Sequence, residues 1–177
     1  MAGLPVVIVT TVQGKEHTAL EEIPDCLYRY DQGVRVEKTP YGGVLKVYTS
    51  LPSREAARII SSCWVSFVKR VVPVDVEVEA RLEAIVDAAL KLARGVEDSV
   101  AVRCVKRGSR IPSSKVVEEE VGAALKDKLG LKIKLEDPDY VLRVEVVGDE
   151  AYLSLLSRED LKPVEKRWPP RRLSAKI

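Results

Sequence analysis

The segment Arg103-Cys-Val-Lys-Arg-Gly-Ser-Arg-Ile-Pro-Ser-Ser-Lys115 combines the signals of a strand, a loop and the start of a helix. Apolar and charged residues alternate up to Arg107, which is typical of a strand, and Gly108 and Pro112 then mark a loop. Ser113 or Ser114 can cap a helix that runs to Gly130. The apolar residues of that helix recur at helical spacing, at Val117, Val121, Leu125 and Leu129.

The same stretch carries an unusual distribution of charge. Residues 99–117 contain five Lys or Arg and no Asp or Glu, although the whole chain has a net charge of only +2. Acidic residues lie directly before this window, at Glu97 and Asp98, and directly after it, at 118–120. Charge alone leaves two interpretations open, a surface shaped for an anion or an ordinary solvated loop.

The sequence on either side of this stretch predicts an α/β domain over residues 76–157. Residues 79–94 have the apolar stripe of a helix that ends at Gly95, and the strand at 99–105 turns Val102 and Cys104 to one face. Residues 140–147 and 150–156 alternate around Gly148-Asp149, a loop of the kind that closes hairpins.

The first 75 residues predict a separate domain in the order strand, helix, strand, strand, helix, strand. The strands are expected at 4–12, 33–38, 44–49 and 67–76, and Pro73 suggests an edge position or the end of the last one. The helices are expected after Gly14 and over 50–62, with a kink or restart at Pro24. This order predicts a ferredoxin-like split βαβ domain at 1–75, an α+β class for the chain, and a basic extension at 158–177.

The chain has few groups suited to catalysis or to holding a cofactor. It lacks the glycine patterns of dinucleotide and phosphate loops, and its one histidine is His17. Cys26, Cys63 and Cys104 are far apart in sequence, so we expect neither disulfides nor a zinc site and interpret all three as buried apolar residues. Asp137 and Asp139 flank a proline and indicate a turn. We therefore expect a protein that is not an enzyme and that uses no cofactor or metal.

Two further expectations concern where the protein is found. No apolar run approaches 18 residues and the first residues do not resemble a signal peptide, so we expect no membrane contact and a cytoplasmic protein. The chain has no Asn and two Gln, with abundant Glu, Lys and Arg. This composition is typical of hyperthermophile proteins.

The start of the helix after Pro112 offers a chemically defined anion site. The first N–H groups of a helix have no partner and its dipole is positive there, so a phosphate at Ser113, Ser114 and Lys115 meets hydrogen bonds and favourable charge. Nearby arginines can bridge phosphates or stack on bases. The alternative is that the serines only cap the helix and that the cations keep the loop soluble.

These motifs together resemble a THUMP domain over residues 65–157. The resemblance rests on the segment 102–118, on Gly122-Ala-Ala124, on Pro138-Asp-Tyr-Val-Leu-Arg-Val-Glu145 and on the strand from Ala151 to Leu155. It implies binding of tRNA at the acceptor stem and 3′ end. For Arg143, a structural salt bridge to a nearby carboxylate remains the alternative. The residues to which the resemblance assigns RNA contacts are Arg103, Lys106, Arg107, Ser109, Arg110, Ser113, Ser114, Lys115 and Arg143.

The combination of a ferredoxin-like and a THUMP domain without a catalytic domain resembles the stand-alone adaptor that presents tRNA to the cytidine acetyltransferase making N4-acetylcytidine. The expected partners are therefore tRNA and this tRNA-modifying enzyme. Two alternatives stay open: an adaptor for a sulfurtransferase or methyltransferase, and a small RNA-processing enzyme with scattered catalytic carboxylates. The basic tail, with Arg167, Trp168, Arg171 and Arg172, suits RNA or a protein partner equally.

Overall fold

The computed structural model describes residues 3–164, which form two compact units. Unit 1 comprises residues 3–73 together with 162–164, and unit 2 comprises residues 74–161. Each unit has one four-stranded sheet, so the mixed α and β class predicted from the sequence is confirmed. Among residues 3–164, no helix is long and apolar enough to cross a membrane.

Unit 1 follows the order of elements predicted from the sequence. Its sheet has the strand order β2-β3-β1-β4 with antiparallel neighbours throughout, so that β3 lies between β1 and β2 in a split βαβ arrangement. Pro73 is the last residue of β4, which is an edge strand. The elements are β1 (Val7–Thr11), α1 (Glu16–Tyr28), β2 (Arg35–Lys38), β3 (Val44–Tyr48), α2 (Ser53–Ser62) and β4 (Val68–Pro73).

The core of unit 1 lies between its sheet and its two helices. Val9 and Val47 of the sheet pack with Ile23 and Leu27 of α1 and with Ile60 of α2, and all five are fully buried. Pro24 lies inside α1 without ending it, and Tyr30, which lies beyond the helix, is 51% exposed.

The cysteines of unit 1 differ from the prediction. Cys26 of α1 and Cys63, just after α2, form a disulfide although they are 37 positions apart in sequence. Because α1 and α2 pack on the same core, their ends bring the two Cα atoms within 6.3 Å, a distance that a disulfide can bridge. Only Cys104 is a buried free thiol, as predicted.

Unit 2 places its two long helices against one face of its sheet. The strand order is β5-β8-β7-β6, in which β6 and β7 are parallel and the other pairs antiparallel. Ile85 of α3 and Leu125 of α4 pack with Val102, Val144 and Leu153 of the strands. The elements are β5 (Val76–Glu79), α3 (Leu82–Leu92), β6 (Val100–Arg107), α4 (Ser114–Leu129), β7 (Tyr140–Val147), β8 (Glu150–Ser157) and α5 (Arg158–Val164).

Two elements of unit 2 differ from the prediction. The sequence predicted one strand over 67–76 and a helix from Glu79, whereas the structure has the separate strand β5 and begins α3 at Leu82. The alternating residues of β5 lie directly before the apolar stripe of α3, and no glycine or proline separates the two elements. In the segment after α4, Ile133 forms a single isolated bridge with Val100.

Candidate nucleic-acid interface

Strand β6 positions most of the predicted site residues. Its residues Val102 and Cys104 face the core, so Arg103 and Arg107 lie on the opposite face of the sheet. The parallel register sets Arg103 beside Arg143 of β7. Three of the predicted arginines therefore share one face of unit 2.

Two of these arginines are bound to a carboxylate that the sequence analysis did not single out. Glu145 is fully buried, and its Oε1 accepts hydrogen bonds from Nε and Nη2 of Arg143 at 3.1 and 2.9 Å. Its Oε2 accepts a bond from Nη1 of Arg107 at 3.1 Å. Arg143 is only 6% exposed and thus makes the structural salt bridge that the sequence left open as the alternative to an RNA contact. Arg143 and Glu145 are two positions apart on one strand, which is a sequence signal that they share a face.

The loop at 108–112 is fixed at both ends. The N–H of Gly148, in the β7–β8 hairpin, donates to the carbonyl of Arg107 at 2.9 Å, and Lys106 Nζ donates to the carbonyl of Gly108 at 2.9 Å. Gly108 has a φ of 103°, a conformation that favours glycine. Ile111 is buried at the other end of the loop. The exposed residues between these anchors therefore have a defined position.

Arg110 is the exposed cation of this loop, and Ser109 beside it is also exposed. Nε of Arg110 donates to Oδ1 of Asp149 at 2.9 Å, with the two side chains 58% and 71% exposed. This hydrogen bond and the charge of Asp149 raise the pKa of Arg110. Since exposed ion pairs contribute at most about 1 kcal/mol, a competing anion can replace Asp149 at little cost.

The start of α4 contains the two predicted serines in different roles. Ser113 is the N-cap, and its hydroxyl accepts from the N–H of Val116 at 3.1 Å. Ser114 hydrogen-bonds the thiol of Cys104, whose pKa burial raises to about 12. Lys115 is 84% exposed, with Nζ 3.7 Å from Oε1 of Glu119. Both hydroxyls therefore have structural partners, and the exposed cation here is Lys115.

The predicted residues thus fall into three environments. Arg143 is buried, while Ser109, Arg110 and Lys115 are exposed. The others are partly exposed, and among them Arg103 has no ion pair within residues 3–164. The predicted tail residues at 167, 168, 171 and 172 lie outside the described residues.

The groups considered for catalysis do not converge. His17 is exposed on α1 of unit 1. Asp139 Oδ2 accepts hydrogen bonds from the N–H and the hydroxyl of Ser99, at 3.2 and 2.7 Å, which hold its pKa below the ordinary value. Arg158 binds Asp137 and Asp139. Between residues 3 and 164, no three His, Cys, Asp or Glu side chains are grouped to hold a metal.

A second basic cluster was missed by counting charges in windows. It comprises Lys126 and Lys128 at the end of α4 and Lys132 and Lys134 in the segment after it, and all four are exposed. Acidic residues outnumber basic ones in residues 118–157, so a charge count over that whole segment hides these lysines. Their spacing around a helix end was the signal that would have separated them.

Comparison with known proteins finds a family model that matches most of unit 2. The sequence model of the THUMP domain family matches residues 79–156, which confirms the predicted resemblance for this part of the chain. A probable tRNA sulfurtransferase of Methanocaldococcus jannaschii is 34% identical over 83 residues, which are 46% of this chain and 22% of that protein. The chain spans about a quarter of the length of the curated relatives that it matches.

Solved structures with the same fold cover both units. The protein PH1313 from Pyrococcus horikoshii Ot3 is similar with a TM-score of 0.70 and 22% identity, over 86% of this chain and 54% of that one. A 4-thiouridine synthetase in complex with RNA and ATP is similar with a TM-score of 0.58 and 19% identity, over 92% of this chain and 42% of that one. At these identities the likeness concerns the fold.

Proposed function

We propose that this protein binds tRNA through the loop at 108–112 and the start of α4, and presents the RNA to a modifying enzyme acting in trans. The observation that carries the proposal is the position of Arg110 and Lys115, two exposed cations fixed by anchored backbone at one end of unit 2. The THUMP match over residues 79–156 supports RNA as the anion, as do relatives named for tRNA or RNA.

The contacts follow from the environments of the side chains. When RNA binds, a phosphate replaces Asp149 as the partner of Arg110, and another replaces Glu119 as the partner of Lys115. Arg103 and Lys106 lie on the strand that leads to them and provide two further cations. Four phosphate contacts give a salt slope of about −3, so a fourfold rise in salt weakens binding by about 60-fold.

Arg107 and Arg143 have a different role in this proposal from the one that the sequence suggested. Both guanidinium groups are held by Glu145, so they fix the end of β6 relative to β7 and thereby position the loop. They act as positioning residues for the exposed cations.

The finer identity of the partners is also part of the proposal. We infer that the RNA is recognised at its acceptor stem and 3′ end, and that the enzyme is the cytidine acetyltransferase that forms N4-acetylcytidine. The resemblance to the adaptor of that enzyme supports this choice. The similarity to a probable tRNA sulfurtransferase favours a second candidate, presentation to a sulfur-transferring enzyme.

Substitutions at the two members of the ion pair between Arg110 and Asp149 should have different effects on the affinity for tRNA. Arg110→Glu should weaken tRNA binding about tenfold, as expected for one lost contact of 1.4 kcal/mol. Asp149→Asn should leave binding unchanged or strengthen it, because it releases Arg110. Arg94→Glu, which changes an exposed cation elsewhere in unit 2, is the matched control. Fluorescence anisotropy with labelled tRNA measures all three, and equal effects of Arg110→Glu and Arg94→Glu would contradict the site.

Two further measurements test the finer identity. Binding to tRNA that lacks its 3′ terminal nucleotides should be weaker than binding to intact tRNA. Nucleoside mass spectrometry after incubation with tRNA, acetyl donor and the acetyltransferase should detect N4-acetylcytidine only when both proteins are present. Modification by this protein alone would instead support an enzymatic function.

A further inference from the structure

Strand β6 is an edge strand of the sheet in unit 2. On its inner side it pairs with β7. At the two ends of this pairing, the N–H of Tyr140 donates to the carbonyl of Ser99 and the N–H of Gly148 donates to the carbonyl of Arg107. Alternate residues therefore direct their backbone groups outward. Val100 is one of these, since its N–H donates to Lys132 at 2.9 Å and its carbonyl accepts from Lys134 at 3.0 Å.

The outer edge of β6 is open beyond Val100. By the same alternation, the N–H and carbonyl groups of Val102, Cys104 and Lys106 point outward, and no strand within residues 3–164 pairs with them. The segment that binds Val100 leaves the edge at Leu135, which is 75% exposed. An unpaired edge of this kind is a template for a further strand.

A groove of about 540 Å³ runs beside this edge. Val102, Ile133 and Leu135 give it an apolar side, and α4 forms the opposite wall with Gly122 and Ala123. A Cβ atom at Gly122 would meet no atom within 4 Å, so the wall leaves room for side chains. The groove therefore fits the apolar face of a strand added to β6.

The charges around the groove define the other face of such a strand. The groove lining itself is balanced, with Lys115 and Lys126 against Glu118 and Glu119, and Lys115 is paired with Glu119. Ile133 faces the groove, so its neighbours Lys132 and Lys134 alternate to the other face and give that face an excess of positive charge. Neither of these two lysines forms an ion pair within the described part of the chain. Arg103, on the face of β6 opposite the groove, is likewise without an ion pair there. The complementary side chains are carboxylates.

We propose that an acidic, extended segment of a partner protein binds to unit 2 as a fifth strand along the outer edge of β6. Its apolar side chains fill the groove beside α4, and its alternate carboxylates face Arg103, Lys132 and Lys134. The backbone of Val102, Cys104 and Lys106 supplies the donors and acceptors. A peptide strand meets this repeating pattern, which a ribose-phosphate backbone does not.

The direct test uses a capped eight-residue peptide of alternating Val and Glu with the whole protein. Amide hydrogen exchange followed by NMR should show slower exchange at Val102, Cys104 and Lys106 when the peptide is present. A matched peptide of alternating Val and Lys should slow none of them. No protection by the Glu peptide, or equal protection by both peptides, overturns the proposal.

Matched variants locate the binding site. Lys134→Glu, beside the outer edge of β6, should weaken binding of the Glu peptide about tenfold, whereas Lys128→Glu, which makes the same charge change at an exposed residue of α4, should alter it less than twofold. Ala123→Trp should also weaken it by filling the groove. If Lys134→Glu instead reduces tRNA binding and leaves the peptide unaffected, the surface belongs to the RNA and the proposal fails. Failure of Arg110→Glu to affect tRNA would refute the proposed function alone.

Discussion

Replacing Glu145 by Gln tests how the site is supported. In the native protein its two oxygens accept three hydrogen bonds from Arg107 and Arg143, and the carboxylate is fully buried. Gln keeps the volume of the side chain but removes the negative charge. Its amide nitrogen, a donor, then faces a guanidinium N–H. The side chains of Arg143 and Arg107, 8% and 20% exposed, are left without a counter-charge.

The expected loss of stability is large. Removing one member of a buried ion pair destabilises a protein by about 3–5 kcal/mol, because the remaining charge stays desolvated. In a unit of this size, 1 kcal/mol corresponds to a change in Tm of about 4–8 °C. The unfolding of unit 2 in Glu145→Gln should therefore begin at least about 12 °C below that of the native protein.

Far-UV circular dichroism during heating, supported by urea unfolding, measures this difference. Asp149→Asn is the control, since it breaks the exposed bond to Arg110 and should lower stability by no more than about 1 kcal/mol. Should Glu145→Gln prove as stable as this control, neither arginine depends on Glu145. Arg107 and Arg143 would then be available to contact RNA, as the sequence alone suggested.

Three further predictions concern single interactions. Ser113→Ala should lower stability by about 1 kcal/mol in urea unfolding, because the cap bond at the start of α4 is lost. Cys63→Ser should lower it by up to about 4 kcal/mol through loss of the disulfide with Cys26, and reductant should have the same effect on the native protein but none on the variant. The hydrogen bonds from Ser99 to Asp139 lower the pKa of this carboxyl group. The ionised group therefore stabilises the fold at a pH above its ordinary pKa, and this contribution is lost as the pH falls below about 4. Asp139→Asn should abolish this part of the acid dependence of Tm.

The features predicted correctly from the sequence are those set by local chemistry. Ser113 caps α4 because its hydroxyl reaches a backbone N–H three residues later. Gly130 ends the same helix with φ at 65°, in the left-handed region that glycine tolerates. Gly148 and Asp149 close the hairpin between β7 and β8. Each of these signals lies within a few residues of the structure that it determines.

The features that were missed depend on contacts between distant parts of the chain. Arg107 and Glu145 are 38 positions apart and meet only because β6 and β7 pair in one register. Cys26 and Cys63 meet because two helices pack on one core. A charge count cannot distinguish Arg107, which is held by a buried carboxylate, from Arg110, which is exposed. The window of five cations therefore overstated how many of them are free to bind an anion.

The two proposed surfaces share Arg103, Lys106 and Lys115, and this links them. Lys115 lies in the first turn of α4 beside the RNA-binding loop and also lines the groove along β6. A phosphate bound to Lys115 removes a cation from the end of the groove, so tRNA and an acidic strand should compete there. By linkage, the factor by which tRNA weakens the strand equals the factor by which the strand weakens tRNA. A partner that engages the groove would thus favour release of the RNA from α4, which is what transfer of a presented substrate to an enzyme requires.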